Sequence, residues 1–203
     1  MHTYEVIQQG CPLRQAKKAL ILLHGRGSTA LDILSLADSF ADDSFYIAAP
    51  QATRQSWYPH SFMAEEAQNE PWISSAIEIV KKLVENTTKH VPLDKIYLMG
   101  FSQGACLALE FSARYAAKYG GIVAFTGGLI GKTQDEEKYQ GNFAGTKIFI
   151  GTSDQDPHVP LIRSEQSKLI LEKMGAAVTL KVYAGMAHTI NEDEINWVRK
   201  FIF

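Results

Sequence analysis

Short runs of aliphatic and β-branched residues alternate along the chain with longer segments in which apolar positions recur every three or four residues. This alternation is typical of a mostly parallel, twisted β-sheet with helices on both faces. Most of the short runs are apolar throughout, as strands buried on both faces should be. The predicted strands are Lys18 to Leu23, Ser44 to Ala48, Lys95 to Met99, Gly121 to Phe125, Lys147 to Ile150 and Val178 to Tyr183. The predicted helices are Ala30 to Ala41, Pro71 to Asn86, Gln103 to Tyr119, Leu161 to Met174 and Glu192 to Phe201.

Two segments follow neither pattern. Pro50 to Glu70 is a long connection rich in Gln, Ser and aromatic residues, and long loops in compact domains often carry function. Gly127 to Gly145 is rich in glycine and includes the charged run Asp135 to Lys138, which predicts an exposed surface excursion. Asn191 is a candidate cap for the last helix, whose acidic first turn suits the helix dipole.

Size and composition limit the possible functions. The chain has 203 residues, 46% of them hydrophobic, which predicts one globular domain over residues 1–203. Its formal net charge of −2 supplies no positive field for nucleic acid. No signal peptide or membrane-spanning run is recognisable, so we expect no membrane insertion and a cytoplasmic protein. Cys11 and Cys106 are too few for a disulfide framework or a multi-cysteine metal site.

The segment from Gly100 to Gly104 reads Gly-Phe-Ser-Gln-Gly and stands between a predicted strand and a predicted helix. This strand, G-x-S-x-G, helix context is typical of a nucleophile elbow, in which glycines permit a turn too tight for side chains. The turn would expose the Ser102 hydroxyl above the sheet edge. Ser102 is therefore the candidate nucleophile, against the simpler interpretation of a glycine-rich turn with an incidental serine.

A serine hydroxyl needs a general base, and the base needs an orienting group. In an elbow-type hydrolase the chain order is serine, acid, histidine, with the histidine in the loop after the last strand. His188 is the histidine in that loop, between the predicted strand ending at Tyr183 and the last helix. The acid follows the strand ending at Ile150, where both Asp154 and Asp156 are possible.

Several spaced segments together resemble the phospholipase/carboxylesterase family of α/β-hydrolases, which includes acyl-protein thioesterases and small bacterial carboxylesterases. The resemblance spans nearly the whole chain. It rests on Leu22 to Gly27, Arg54 to Tyr58, Gly100 to Gly104, Asp156 to Pro160 and Gly185 to His188.

The resemblance implies an α/β-hydrolase fold and assigns several roles. The aspartate of the D-P-x-V-P stretch, Asp156, would be the triad acid, which leaves Asp154 as a turn-capping or surface residue. The backbone N–H groups of Gln103 and Arg26 would form the oxyanion hole. His24 lies in the turn beside Arg26, where a structural hydrogen-bonding role is expected rather than that of a second base.

The chain also departs from the family pattern. Arg26 stands where relatives usually carry an apolar residue, Ser28 replaces a common aspartate and Pro59 replaces an acidic residue. Gly127-Gly128-Leu129 replaces the usual serine-glycine-aromatic sequence. If Arg26 turns inward, its charge favours substrates with an anionic group; the alternative is an outward, solvated arginine.

Four residues of the long loop are candidates for an apolar substrate pocket: Trp57, Tyr58, Phe62 and Met63. The alternative is that they anchor the loop to the core. Cys106 is expected to be a buried small side chain. The histidines show no H-x-x-x-H spacing, and no metal site is expected.

These observations predict a cofactor-independent serine hydrolase that cleaves small-molecule carboxylic esters of short or medium acyl chains. Ser102 would attack, His188 would act as base and acid, and Asp156 would orient His188. The alternatives are a thioesterase or lysophospholipase acting on longer acyl chains, and a noncatalytic binding module of the same fold. The sequence does not indicate an oligomeric state.

Overall fold

The seven strands of the computed structural model form one sheet in the order β1-β3-β2-β4-β5-β6-β7. The structure describes residues 1–133 and 136–203, so Asp135 of the predicted charged run lies outside the described residues. Strand β1 pairs with β3 antiparallel, and all other neighbours are parallel. The strands are β1 (Val6–Gly10), β2 (Lys18–Leu23), β3 (Phe45–Pro50), β4 (Ile96–Phe101), β5 (Gly121–Phe125), β6 (Lys147–Ser153) and β7 (Ala177–Tyr183).

Helices cover both faces of the sheet, as predicted. The α-helices are α1 (Ala30–Leu34), α2 (Glu66–Asn69), α3 (Trp72–Thr88), α4 (Gln103–Arg114), α5 (Leu161–Lys173) and α6 (Glu192–Phe201). Short 3₁₀ helices occupy Ser35–Ser39, Thr53–Gln55, Leu93–Lys95 and Glu136–Lys138. Asn191 caps α6 as expected, because its side chain accepts a hydrogen bond from the Glu194 N–H at 2.9 Å.

The core consists of two layers, one on each side of the sheet. Alternate residues of β2 point to opposite faces, so Ile21 packs in one layer and Leu22 in the other. The layer of Ile21 also contains the buried faces of α3, α4 and α5, and the layer of Leu22 contains those of α1 and α6. This packing buries the central strands completely and leaves the loops at their carboxyl ends to form a site.

The segment after β5 differs from the prediction. Gly127 to Gly131 is buried, although an exposed excursion was expected. Burial is possible because charged side chains satisfy its backbone: Glu110 accepts from the Ile130 N–H at 2.9 Å, and Arg163 donates to the Gly131 carbonyl at 2.7 Å. The structure therefore corrects this part of the sequence interpretation. In the described part of the chain, no helix is long and apolar enough to cross a membrane.

Candidate active site

Ser102 lies at the sharp turn between β4 and α4. Its backbone has φ 53° and ψ −117°, a strained conformation for a residue other than glycine. Neighbouring backbone approaches both flanking glycines. A Cβ on Gly104 would lie 2.0 Å from the Leu23 carbonyl oxygen, and a Cβ on Gly100 would lie 2.3 Å from the Gly104 carbonyl oxygen. The two glycines therefore permit the turn that places Ser102 at the carboxyl edge of the sheet.

Three side chains that were predicted as a set meet at this edge. His188 Nε2 lies 2.8 Å from Ser102 Oγ, and His188 Nδ1 lies 2.7 Å from Asp156 Oδ2. The three residues follow β4, β6 and β7, whose carboxyl ends lie at the same edge because these strands are parallel. A hydroxyl, an imidazole and a carboxylate in this order can activate a serine for attack on a carbonyl carbon.

Asp156 is held as an ionised carboxylate. Burial raises its pKa, but the hydrogen bond from His188 and those from the N–H groups of Val159 and His158, at 2.8 and 2.7 Å, outweigh burial. The pKa of Asp156 consequently lies below its ordinary value of 3.8. An ionised carboxylate only accepts hydrogen bonds, so His188 Nδ1 donates to it and Nε2 is left to accept from the Ser102 hydroxyl.

Asp154, the other carboxylate candidate, has a different partner. Its Oδ1 accepts a hydrogen bond from the Gly185 N–H at 2.7 Å, and its side chain is exposed. This bond joins the end of β6 to the loop that carries His188. Asp154 thus restrains the position of the His188 loop without touching the imidazole.

His24 has a structural hydrogen-bonding pattern. Its buried Nδ1–H donates to the Gly25 carbonyl at 2.8 Å, and Nε2 accepts from the Ala52 N–H at 3.1 Å. Burial lowers its pKa, which keeps the ring neutral in this pattern. His24 therefore fixes the turn after β2 to the start of the long loop.

The side chain of Gln103 has a role that the sequence interpretation missed. Its Oε1 accepts from the Trp57 N–H, and its Nε2 donates to the Tyr58 carbonyl, both at 2.8 Å. These bonds fasten the long loop to the residue next to Ser102. The only signal in the sequence was that a polar side chain directly follows the candidate nucleophile.

The two predicted oxyanion-hole residues lie beside Ser102. Arg26 and Gln103 both line the cavity into which Ser102 opens. Gln103 is the first residue of α4, where backbone N–H groups have no partner within the helix. Arg26 lies in the turn after β2, and the next N–H along, that of Gly27, donates to the Gln55 carbonyl at 2.7 Å.

The cavity at Ser102 and His188 has a volume of about 540 Å³, within the range of small-molecule sites. Of the predicted pocket residues, Tyr58 and Phe62 line it. Phe101 lines it as well and packs against His188 with ring centroids 5.1 Å apart. Sequence reasoning did not select Phe101, although it lies inside the G-x-S-x-G motif. It also did not select Val159, His60 and His158, which are among the remaining lining residues.

The other two predicted pocket residues, Trp57 and Met63, do not line this cavity. Trp57 is 0% exposed, and its indole N–H donates to the His24 carbonyl at 2.9 Å. Met63 is partly buried against the core. Both residues anchor the loop, as the alternative interpretation held, because the loop directs them inward.

Cys106 lines the inner wall of the cavity. Burial raises the pKa of its thiol to about 12, so the thiolate form is absent at neutral pH. Among residues 1–133 and 136–203, no group of three or more His, Cys, Asp or Glu side chains is arranged to hold a metal ion.

Comparisons with known proteins agree with this architecture. A crystal structure of a phospholipase/carboxylesterase from Dyadobacter fermentans has 50% sequence identity and a TM-score of 0.97, with 99% of this chain and 97% of that chain covered. The Bacillus cereus carboxylesterase has the same fold, with 22% identity, a TM-score of 0.79 and 98% and 92% coverage.

Two yeast relatives also match over almost their full length. Acyl-protein thioesterase 1 of Saccharomyces cerevisiae is 28% identical, covering 94% of this chain and 93% of the relative. That of Candida albicans is 26% identical, covering 92% and 91%. The model of the phospholipase/carboxylesterase family matches residues 2–203. This chain is therefore a hydrolase that belongs to the phospholipase/carboxylesterase family of α/β-hydrolases.

Proposed function

We propose that the chain is a serine esterase that cleaves carboxylic esters of short or medium acyl chains through a Ser102-His188-Asp156 triad. The observation that carries the proposal is the continuous hydrogen-bonded series from the Ser102 hydroxyl through both nitrogens of His188 to Asp156. Family membership supports the reaction class, and the geometry supports the residue assignment.

In the proposed reaction Ser102 Oγ bonds to the ester carbonyl carbon while His188 Nε2 takes the hydroxyl proton. The tetrahedral intermediate then collapses, the bond to the alcohol oxygen breaks, and His188 returns the proton to the leaving alcohol. Water attacks the acyl-serine by the same route and releases the carboxylic acid. Asp156 keeps the His188 tautomer fixed and stabilises the imidazolium that forms in each half-reaction.

The backbone N–H groups of Arg26 and Gln103 are proposed to donate to the oxygen that becomes negative in the tetrahedral intermediate. Arg26 lies in the turn after β2 and Gln103 is the first residue of α4, and both residues line the cavity with Ser102. Loss of one such donor typically lowers the rate by about 10² to 10³. Because both donors are backbone groups, their positions depend on the loops and not on the side chains.

Active-site labelling with a fluorophosphonate tests the nucleophile. We expect stoichiometric labelling of the wild type and none of Ser102→Ala. The matched control is Ser28→Ala, which removes another serine of the same cavity, whose hydroxyl donates to Asp32 at 2.9 Å. Stoichiometric labelling of Ser102→Ala, or its loss in Ser28→Ala alone, would show that the nucleophile is assigned wrongly.

The acyl-protein thioesterase relatives favour a second candidate activity, the hydrolysis of longer acyl thioesters. A profile of 4-nitrophenyl esters from acetate to palmitate, with matched thioesters, separates the two. We expect kcat/KM to peak at short or medium chains, because aromatic side chains of the loop already occupy the cavity wall. A maximum at palmitate would favour the thioesterase alternative.

A noncatalytic binding module would bind esters without turnover. The hydrogen bonds among the three proposed catalytic side chains argue against it, since a binding role does not require them. The proposal includes a small-molecule ester substrate. The cytoplasmic location expected from the sequence stays a prediction.

A further inference from the structure

The guanidinium of Arg26 is fixed at the mouth of the cavity. Its Nη1 donates to the Pro59 carbonyl at 2.8 Å, and its Nη2 donates to the His60 carbonyl at 2.7 Å. The guanidinium carbon also lies 6.0 Å from the centre of the Tyr58 ring. Arg26 is exposed, but two carbonyls of the opposite loop define the position of its guanidinium.

These contacts leave the charge of Arg26 without an opposite charge. Carbonyl oxygens accept hydrogen bonds but carry no net charge, and a guanidinium has five N–H donors, of which the two contacts use two. Within residues 1–133 and 136–203, Arg26 forms no ion pair with a carboxylate. An unpaired cation with free donors, held in a defined place, is a ready binding group for an anion.

The remaining wall of the cavity also lacks negative charge. The described side chains that line it include His60, His158 and His188 but no aspartate or glutamate. The acid nearest to Arg26 in sequence, Asp32, lines a smaller, adjoining cavity that shares Gly25, Ser28 and Phe101 with this one. There its Oδ2 accepts from the Ser28 hydroxyl at 2.9 Å. Nothing in the lining therefore repels an anionic substrate group.

From this arrangement we propose that the enzyme prefers esters that carry an anionic group, a carboxylate or a phosphate, and that the Arg26 side chain binds this group. The inference rests on the proposed esterase function. The Arg26 backbone lies beside Ser102, and its side chain extends to Pro59 and His60, so the anion binds along the rim, away from the reacting carbonyl. The side chain of Arg26 is thus a specificity-determining group.

Pairs of substrates that differ only in charge test the proposal. The acyl-side pair is mono-4-nitrophenyl glutarate, with a free carboxylate, and 4-nitrophenyl valerate, with an uncharged chain of equal length. The alcohol-side pair is 1-butyrylglycerol 3-phosphate and 1-butyrylglycerol. The readout is the ratio of kcat/KM for the charged to the neutral member, which shows on which side of the ester the anion is recognised.

We expect Arg26→Met to lower this ratio about tenfold in at least one pair, as the loss of one charge-assisted hydrogen bond does. Arg26→Lys, which keeps the charge, should retain most of the preference. The matched control is Arg14→Met, an exposed arginine before β2 at the opposite end of the sheet, which should leave the ratio unchanged. High salt should lower the wild-type ratio and leave that of Arg26→Met unaffected.

If Arg26 had only a structural role, Arg26→Met would slow the hydrolysis of charged and neutral esters equally, because both substrates contact the loop that the substitution displaces. Unchanged ratios in Arg26→Met for both pairs, or an equal fall in Arg14→Met, would overturn the inference while neutral esters are still hydrolysed. If Arg26→Met does not fold, a wild-type ratio that is insensitive to salt is the overturning result. Failure of the wild type to hydrolyse any ester would instead refute the proposed function, and this inference with it.

Discussion

Glu194 provides a test of how the start of α6 is stabilised. It lies in the first turn of α6, six positions beyond His188. Its Oε2 accepts from the Asn191 N–H at 2.8 Å, whereas its buried Oε1 has no hydrogen-bond partner among the described residues. Space beside Oε1 is so limited that a Cβ on Gly151 would lie 1.8 Å from it. The substitution Glu194→Gln replaces the charge and keeps a residue type that suits the capping box.

The expected effect follows from the pKa of Glu194. Burial above all, with a smaller contribution from Asp193, raises it from 4.5 to about 7. The folded protein therefore binds this proton more tightly than the unfolded chain does. The resulting stabilisation is complete below pH 4.5 and is lost as the pH rises through about 7. Between about pH 5 and pH 8, this group should lower the free energy of unfolding by about 2 to 3 kcal/mol.

Urea unfolding at a series of pH values, followed by tryptophan fluorescence, measures this contribution. We expect the free energy of unfolding of Glu194→Gln not to show this decline. The stability of the variant relative to the wild type should therefore increase as the pH rises. Glu192→Gln, an exposed neighbour in the same helical turn, removes the same formal charge and should retain the wild-type slope. Parallel profiles for the wild type and Glu194→Gln would refute the reasoning.

Three further substitutions test the site and its support. Asp156→Asn removes the group that fixes the His188 tautomer, and ester kinetics should show kcat/KM about 10³ to 10⁴ times lower. Gly104→Ala places a Cβ 2.0 Å from the Leu23 carbonyl oxygen, so urea unfolding should show a loss of about 3 kcal/mol and activity should fall. Glu110→Gln removes a buried carboxylate that has four hydrogen-bond or ion-pair partners. The same assay should show a free energy of unfolding that is lower by about 3 kcal/mol. Wild-type values in any of these assays would contradict the corresponding argument.

The sequence predicted the central strands well because a strand buried on both faces has one simple signal, an uninterrupted apolar run. Strands β2 and β5 have the predicted bounds. Strand β1 was missed because it lies at the sheet edge and three of its five residues, Gln8 to Gly10, are exposed. The helix predicted from Gln103 to Tyr119 ends at Arg114, because the following alanines pack against the core without continuing the helix.

The site was predictable where it depends on topology and unpredictable where it depends on loop conformation. Parallel strands bring their carboxyl ends to one edge, so chain order was enough to select Ser102 and His188 and to limit the acid to Asp154 or Asp156, and the family resemblance selected Asp156. The pocket wall depends on the path of the long loop. Arg54 and Gln55 have positive φ values of 56° and 57°. No pattern in the sequence predicts a positive φ at these two residues, because neither is a glycine. The turn directs Trp57 into the core and leaves Tyr58 at the cavity.

Arginine side chains hold two of the irregular segments that follow strands of the sheet. A loop without regular secondary structure leaves its backbone groups unpaired, and burial of such groups is costly unless side chains satisfy them. Arg26 donates to the Pro59 carbonyl in the loop after β3, and Arg163 donates to the Gly131 and Leu129 carbonyls in the segment after β5. Of these two segments, the loop after β3 lines the cavity at Ser102. Because the Arg26 side chain also lines the cavity, the group that fixes the loop after β3 is the same group that we propose selects the substrate.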